Sequence, residues 1–281
     1  MKISVIIPSW NRADRLAAAL DSVYAQSLAP HEVIVVDDGS TDNTRELLSR
    51  HYPEVRYLYQ QNNGVSSARN TGIMAASGDW IALLDSDDRW EPLKLEHQQQ
   101  AIQAQPGYRL CHCDEIWIRN GKRVNPMKKH AKQGGNIFHY CLPLCVISPS
   151  AVMIQREVFA DIGLFDENLP ACEDYDLWLR FCARYPVLFV NQPLVIKTGG
   201  HDDQLSRRYW GMDRFRVQAL EKILAADVLD EQDHAAALHM LQEKLAILIQ
   251  GADKRDNHAL AGQYRDKQRN ALHLQCVADS A

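Results

Sequence analysis

Gly78-Asp79-Trp80-Ile81-Ala82-Leu83-Leu84-Asp85-Ser86-Asp87-Asp88 is the stretch on which the fold turns. Ile81 to Leu84 is a short apolar run, the length of a strand buried on both faces. It stops on three carboxylates, and a buried unpaired carboxylate is expensive. Such acids belong at the carboxyl edge of a parallel sheet, where α/β proteins hold their ligands. Asp85 and Asp87 are two residues apart, so on an extended segment they point the same way. Two hard oxygen donors on one side suit Mg²⁺ or Mn²⁺. The structural alternative is a solvated acidic turn with Asp88 as a helix cap.

Upstream, the same grammar repeats. Ile3-Ser4-Val5-Ile6-Ile7 is a β-branched strand ending at Pro8, followed by Ser9-Trp10-Asn11-Arg12 and a helix from about 14 to 26. Val33-Ile34-Val35-Val36 is a second buried strand, and it too ends on carboxylates, Asp37 and Asp38. A helix over about 42–51, a strand over 55–59, a Gln61-Asn62-Asn63-Gly64 turn and a helix over about 66–76 lead back to the central strand. Alternating strands and helices predict right-handed βαβ units and a mostly parallel α/β sheet with helices on both faces. Asp37-Asp38 and Asp85-x-Asp87 then meet along one sheet edge. The crevice there suits the base and ribose of a sugar nucleotide at one end and its diphosphate with a metal at the other. No G-x-G-x-x-G follows the first strand and no P-loop is present.

Composition sets limits. The chain has 281 residues, 46% hydrophobic and 24% charged, with a formal net charge of −5. That excludes a general nucleic-acid binder, which would be basic. No apolar run approaches the roughly 20 residues of a membrane span. The first residues read straight into a strand with no secretion signal, so a cytoplasmic location is expected. Seven cysteines are an odd number and do not suit a secreted disulfide framework. Cys111-His112-Cys113 lacks the spacing of a zinc knuckle and reads as reduced core thiols.

Val-Ile-Ile-Pro8, Asn11-Arg12, Val33-Ile-Val-Val-Asp37-Asp38-Gly39-Ser40-x-Asp42, Gly64-Val-Ser-x-Ala68-Arg69-Asn70-x-Gly72 and Leu84-Asp85-x-Asp87-Asp88, in this order, closely resemble the family 2 glycosyltransferases of GT-A fold. The likeness covers roughly residues 1–200. It implies inverting transfer of a sugar from a nucleoside diphosphate sugar, a UDP-sugar by default, with Mn²⁺ or Mg²⁺. Carried over by position, Pro8, Ser9, Trp10, Asn11, Arg12 and Asp38 would hold the base and ribose. Arg69 and Asn70 would lie by the nucleotide and order the metal loop. Asp85, Ser86 and Asp87 would form the D-x-D site, with Asp87 the direct metal ligand and Asp85 beside it. Assembly of a bacterial surface polysaccharide or lipopolysaccharide is the implied setting, with a saccharide or lipid-linked saccharide as acceptor.

Downstream, a helix is expected from Trp90 to Ala104, a strand over 110–113 and a basic loop from Arg119 to Lys132. That loop suits a phosphate-bearing acceptor or an anionic membrane surface, hence a peripheral contact at the inner face of the membrane. Cys172-Glu173-Asp174-Tyr175-Asp176-Leu177-Trp178 opens another helix, whose first turn favours acids through the helix dipole alone. A carboxylate there also suits a general base that takes the proton of an acceptor hydroxyl. The phrase resembles the family's E-D segment, which implies Asp174 as base, then Glu173, then Asp176. After a strand over 187–190, the family's closing loop implies His201 as a further metal ligand. From about 210 the chain is helical, which divides it into a catalytic domain, 1–208, and a helical extension, 209–281. Leu238, Leu241, Leu245 and Leu248 form a stripe that reads as packing against the catalytic domain, or second as a homo-oligomer surface. Two other functions fit parts of the pattern. A sugar nucleotidyltransferase would want a basic phosphate loop after the first strand, and a nucleotide-sugar binding protein would bind without turnover.

Overall fold

The computed structural model describes residues 1–125, 127–200 and 209–278, with side chains as far as Leu272. His201, proposed above as a metal ligand, lies outside the described residues. The chain opens with β1 (Ile3–Ser9), α1 (Ala13–Tyr24), β2 (Glu32–Asp38), α2 (Thr44–His51), β3 (Arg56–Gln60), α3 (Val65–Ala75) and β4 (Trp80–Leu83). These strands run parallel in the order β3-β2-β1-β4. Their alternate residues enter two separate cores. Ile6, Ile34, Ile81 and Leu83 face one, while Val5, Val35, Ala82 and Leu84 face the other. That is why the strands read as unbroken apolar runs. Gly72 lets α3 lie hard against the sheet, because a Cβ there would strike the side chain of Ile6.

The second half adds β5 (Arg89–Trp90), α4 (Lys94–Ala104), β6 (Leu110–Arg119), β7 (Lys122–Val124), α5 (Phe138–Cys141), β8 (Val152–Gln155), α6 (Val158–Ile162), α7 (Glu173–Cys182) and β9 (Leu188–Gly199). The sheet continues past β4 as β8-β6-β9-β5, with β7 paired to β6. β8 runs antiparallel to β4 and β6, whereas β6 and β9 are parallel.

Four expectations change here. The helix expected from Trp90 begins only at Lys94, because Arg89 and Trp90 pair with Ile196 and Val195 as an edge strand. β6 does not stop at Cys113 but runs on to Arg119 through a register shift at Asp114. The basic stretch after it is a hairpin strand, β7, and a 3₁₀ turn over Lys128–His130 rather than a plain loop. β9 passes the polar Asn191-Gln192-Pro193 and continues to Gly199, so Lys197 and Thr198 stand on a strand.

Three helices follow, α8 (Asp213–Leu224), α9 (Glu231–Asp253) and α10 (His258–Ala278). The Asp230 carboxylate caps α9 by accepting from the Asp233 amide at 2.8 Å. Leu238, Leu241, Leu245 and Leu248 are buried within the chain. They share one core with Phe215 and Leu220 of α8 and with Trp178 and Phe181 of α7. Among the described residues, no helix is long and apolar enough to cross a membrane.

Candidate functional site

Ser9 of β1 pairs with Asp37 of β2, and Ile6 of β1 with Leu83 of β4. β1 and β2 therefore end nearly level, β4 ends opposite Ile6, three residues short of the end of β1, and a cavity of about 360 Å³ opens at the carboxyl ends of these strands. Its lining includes Pro8, Ser9, Trp10, Arg12 and Asp38 from the first two loops, Arg69, Asp85, Ser86 and Asp87, and Glu173 and Asp174 from the start of α7. Trp10 is 45% exposed, a large aromatic left at the mouth.

Asn11 and Asn70 are absent from the lining and work on backbone instead. Asn11 has a left-handed backbone, φ 50°, and its Oδ1 accepts from the amides of Thr41 at 2.7 Å and Asp42 at 3.3 Å. It clips the loop after β1 to the loop after β2. Asn70 donates to the Phe165 carbonyl at 2.9 Å and accepts from the Phe165 amide at 3.0 Å. It fixes the segment that leads into α7. Asp38 is heavily committed too: Gln60 Nε2 and the amides of Asn63 and Gly64 donate to it at 2.7, 2.9 and 2.8 Å. Burial nevertheless outweighs these bonds and raises its pKa above the ordinary aspartate value.

The acids of the central stretch each have a distinct environment. Arg69 is nearly fully buried and forks between Asp85 and Glu173, 2.7 Å from an oxygen of each. Burial opposes charge on Asp85, but the guanidinium of Arg69, helped by Lys197 and Arg12, holds its pKa below the ordinary value. Asp87 meets Arg12 at 2.5 Å. Asp88 is buried, accepting from Ser150 Oγ at 2.7 Å and from the Thr198 amide at 2.9 Å. Burial, with Asp87 and Asp85 nearby, pushes its pKa well up against the pull of Lys197. It is therefore a structural brace that ties the end of β4 to β9, and not a solvated cap.

Asp85 and Asp87 fit a hard divalent cation by donor chemistry: two carboxylates on one cavity wall, with room for the remaining oxygen ligands to come from phosphate and water. Among the described residues, no group of three or more His, Cys, Asp or Glu converges as a ready-made cage. Cys111 and Cys113 are buried core thiols whose pKa burial raises to about 12.

The acid phrase at α7 sorts itself by burial. Cys172 takes a left-handed conformation, φ 61°, just before the helix and turns its first residues toward the cavity. Glu173 is buried, and burial with the adjacent Asp174 raises its pKa against the pull of Arg69. Asp176 is also buried and spent on Arg180 at 2.6 Å and Lys222 at 3.1 Å. Asp174 alone of the three is partly exposed, with the Tyr175 amide donating to its Oδ1 at 2.7 Å.

Lys197 was not singled out by the sequence, yet it lines the cavity between the two acid groups. Burial opposes its charge, but Glu115, Asp88, Asp85 and Asp174 outweigh that and raise its pKa above the lysine value. Its signal was the β-branched Val195-Ile196 before it, which carries the strand past Pro193.

The family description "Glycosyl transferase family 2" matches residues 4–163, and "Glycosyltransferase like family 2" matches residues 138–226. An uncharacterized glycosyltransferase of Rickettsia typhi is 32% identical over 207 residues, covering 72% of this chain and 65% of that protein. One from Nostoc sp. is 37% identical over 207 residues, covering 68% of this chain and 61% of that protein. The chain thus spans just under two thirds of these relatives. Among solved structures, S. aureus TarS 1–349 in complex with UDP-GlcNAc shares the fold, with a TM-score of 0.69 at 21% identity over 87% of this chain and 72% of that one. The cavity at the acid-ended strands lies inside the region these comparisons cover, and the chain, with its GT-A-type fold, belongs to glycosyl transferase family 2.

Proposed function

We propose that the chain transfers a sugar from a nucleoside diphosphate sugar, a UDP-sugar, to a hydroxyl acceptor with inversion at the anomeric carbon. The observation that carries this is a single cavity lined by Asp85, Asp87 and Asp174, in which Arg69 ties Asp85 to Glu173, the neighbour of Asp174. Pro8, Ser9, Trp10, Arg12 and Asp38 take the base and ribose. Asp85 and Asp87 hold Mn²⁺ or Mg²⁺, which supplies positive charge against the leaving diphosphate. Asp174 accepts the proton of the acceptor hydroxyl as its oxygen bonds to the anomeric carbon and the carbon–phosphate oxygen bond breaks. Attack from the side opposite the diphosphate inverts the centre. Glu173, tied to Arg69, positions its neighbour and takes no proton. Lys197 remains charged between the acid groups and offsets the negative charge that gathers there.

The uridine preference rests on the fold shared with a structure that binds UDP-GlcNAc. The setting that goes with this reading is bacterial cell-surface polysaccharide or lipopolysaccharide synthesis, in the cytoplasm at the membrane's inner face; the relatives compared are bacterial glycosyltransferases. The unit 1–208 supplies every acid of this site, and 209–281 adds Met212 to the cavity lining and buttresses it. Self-association through the C-terminal helices would use faces other than the internal leucine stripe.

A thermal-shift panel of UDP, GDP, dTDP and CDP, each with and without Mn²⁺, tests the donor site. Ligand at about 100 times its dissociation constant adds roughly 2.7 kcal/mol. A shift with UDP that requires Mn²⁺ is expected. No shift with any nucleotide in Mn²⁺ overturns the proposal.

A further inference from the structure

A second cavity of about 230 Å³ opens beside the first and shares Asp174, Lys197 and Thr198 with it. Its outer wall is β6 and the turn beyond β7. Glu115, Trp117 and Arg119 alternate along β6, so they share one face, and all three line this cavity. Trp117 is in register with Lys197 of β9. The Trp117 ring lies 5.2 Å from that of His130 and 5.9 Å from the Arg119 guanidinium.

The charge on this wall leans positive, with Arg119, Lys132 and Lys197 in its lining. Two acids line the cavity, Asp174 and Glu115. Glu115 is already committed, to Lys132 at 3.2 Å and to Trp117 Nε1 at 2.9 Å. Residues 116–135 carry Arg119, Lys122, Arg123, Lys128, Lys129 and Lys132 and no Asp or Glu, in a chain whose net charge is −5. His130 reports the resulting field. Burial, then Lys129, Lys132 and Arg119, hold its pKa below the ordinary value, against Glu115. A merely solvated basic hairpin would have no reason to face an aromatic wall and a cavity shared with Asp174. An anionic ligand there removes the mutual repulsion of the cations and gains charge-assisted hydrogen bonds, for which Arg is the best donor.

We propose that this second cavity takes an acceptor bearing an anionic group, phosphate or carboxylate, close to its reacting hydroxyl, with Arg119 and His130 at the anion and Trp117 against its sugar. This rests on the reading of Asp174 as the base. It replaces "a hydroxyl acceptor" with an anionic saccharide or polyol.

The test uses the full chain saturated with UDP and Mn²⁺, so that the first cavity is filled. Glycerol 3-phosphate, glucuronate and methyl glucoside are titrated by ligand-observed NMR on the parent protein and on Arg119→Glu, whose exposed side chain makes the change tolerable to the fold. The two anions are expected to bind at least about tenfold more tightly than the neutral glucoside, and Arg119→Glu to lose that margin with UDP affinity unchanged. Equal binding of all three probes, or an anion preference that survives Arg119→Glu, overturns the proposal. So does binding to phosphatidylglycerol vesicles without binding of either soluble anion, which would make the hairpin a membrane contact. If UDP itself fails to bind, the donor reading falls, and the anion margin measured without UDP still decides this one.

Discussion

The guanidinium of Arg69 meets the carboxylate of Glu173 at 2.7 Å across 104 residues of sequence. Its other arm holds Asp85 at the same distance, so one buried side chain on α3 joins the end of β4 to the start of α7. The two halves of the cavity are therefore mechanically linked through a single fork. Removing it leaves the buried carboxylate of Glu173 and the partly exposed one of Asp85 without their cation. Arg69→Met is expected to lower stability by about 3–5 kcal/mol, the cost of breaking a buried pair. Arg69→Lys should recover little, because one ammonium cannot span both acids as the planar fork does. Urea unfolding of both variants checks this, and a loss under about 1 kcal/mol for Arg69→Met would remove the fork from the account.

The three acids of the α7 phrase should separate cleanly by what they break. Asp174→Asn keeps the fold and UDP binding but lowers transfer by about 10²–10⁴-fold, as expected for loss of a general base. Asp176→Asn instead leaves Arg180 and Lys222 short of their partner and shows first in melting temperature. Steady-state rates read beside melting curves distinguish the two. An Asp174→Asn enzyme with near-parental turnover would mean another group takes the proton.

Acid sensitivity should trace in part to Glu115. Burial opposes its charge, but Lys132 and Lys197 outweigh that and bring its pKa down from 4.5 to about 2 in the folded chain. The unfolded chain thus takes the proton first as pH falls. Its stabilising contribution is full above about pH 4.5, shrinks below that, and is gone near pH 2. It amounts to about 3 kcal/mol. Glu115→Gln should be less stable than the parent at pH 6, by an amount that narrows toward pH 3. Unfolding free energies measured across that range check the sign; a gap that widens on acidification would contradict it.

Much of this site was legible because its signals are local. Val33 to Asp38 and Ile81 to Asp88 each announce a buried strand ending on acids, and Glu173-Asp174 announces a helix start. What the sequence hid depends on long-range pairing. Arg12 reaches Asp87 over 75 residues, and Asp88 becomes a buried brace only because Ser150 arrives from the 3₁₀ turn before β8 and Thr198 from β9. Lys197 was obscured because Asn191-Gln192-Pro193 interrupts the apolar pattern of β9. The sheet absorbs that interruption as a register shift opposite Asp114, and no local propensity announces it. β7 was obscured in the same way, its charged residues reading as solvent-facing loop when they pair with the end of β6.

Lys94 offers a prediction of the opposite sign. It is fully buried on α4, with its Nζ 3.8 Å from the centre of the Trp90 ring and 3.4 Å from the Val152 carbonyl. Among the described residues no carboxylate forms an ion pair with it. Burial lowers its pKa from 10.5 to about 8, against weak pulls from Cys113 and Cys111. The charged form is thus disfavoured by folding. The penalty is full below pH 8 and is relieved as pH rises from 8 to 10.5, so this one group makes the protein more stable over that interval. Lys94→Met has similar length and no charge to bury. It should raise stability at pH 7, in line with the neutral-to-favourable outcome of replacing buried charges by apolar groups of like volume, and should flatten the rise between pH 8 and 10.5. Denaturant titrations of both proteins at pH 7 and pH 10 decide it. A destabilised Lys94→Met at pH 7 would mean that the ammonium's contacts with Trp90 and Val152 outweigh its desolvation, and that this lysine is held for the packing beneath Ser150 and Asp88.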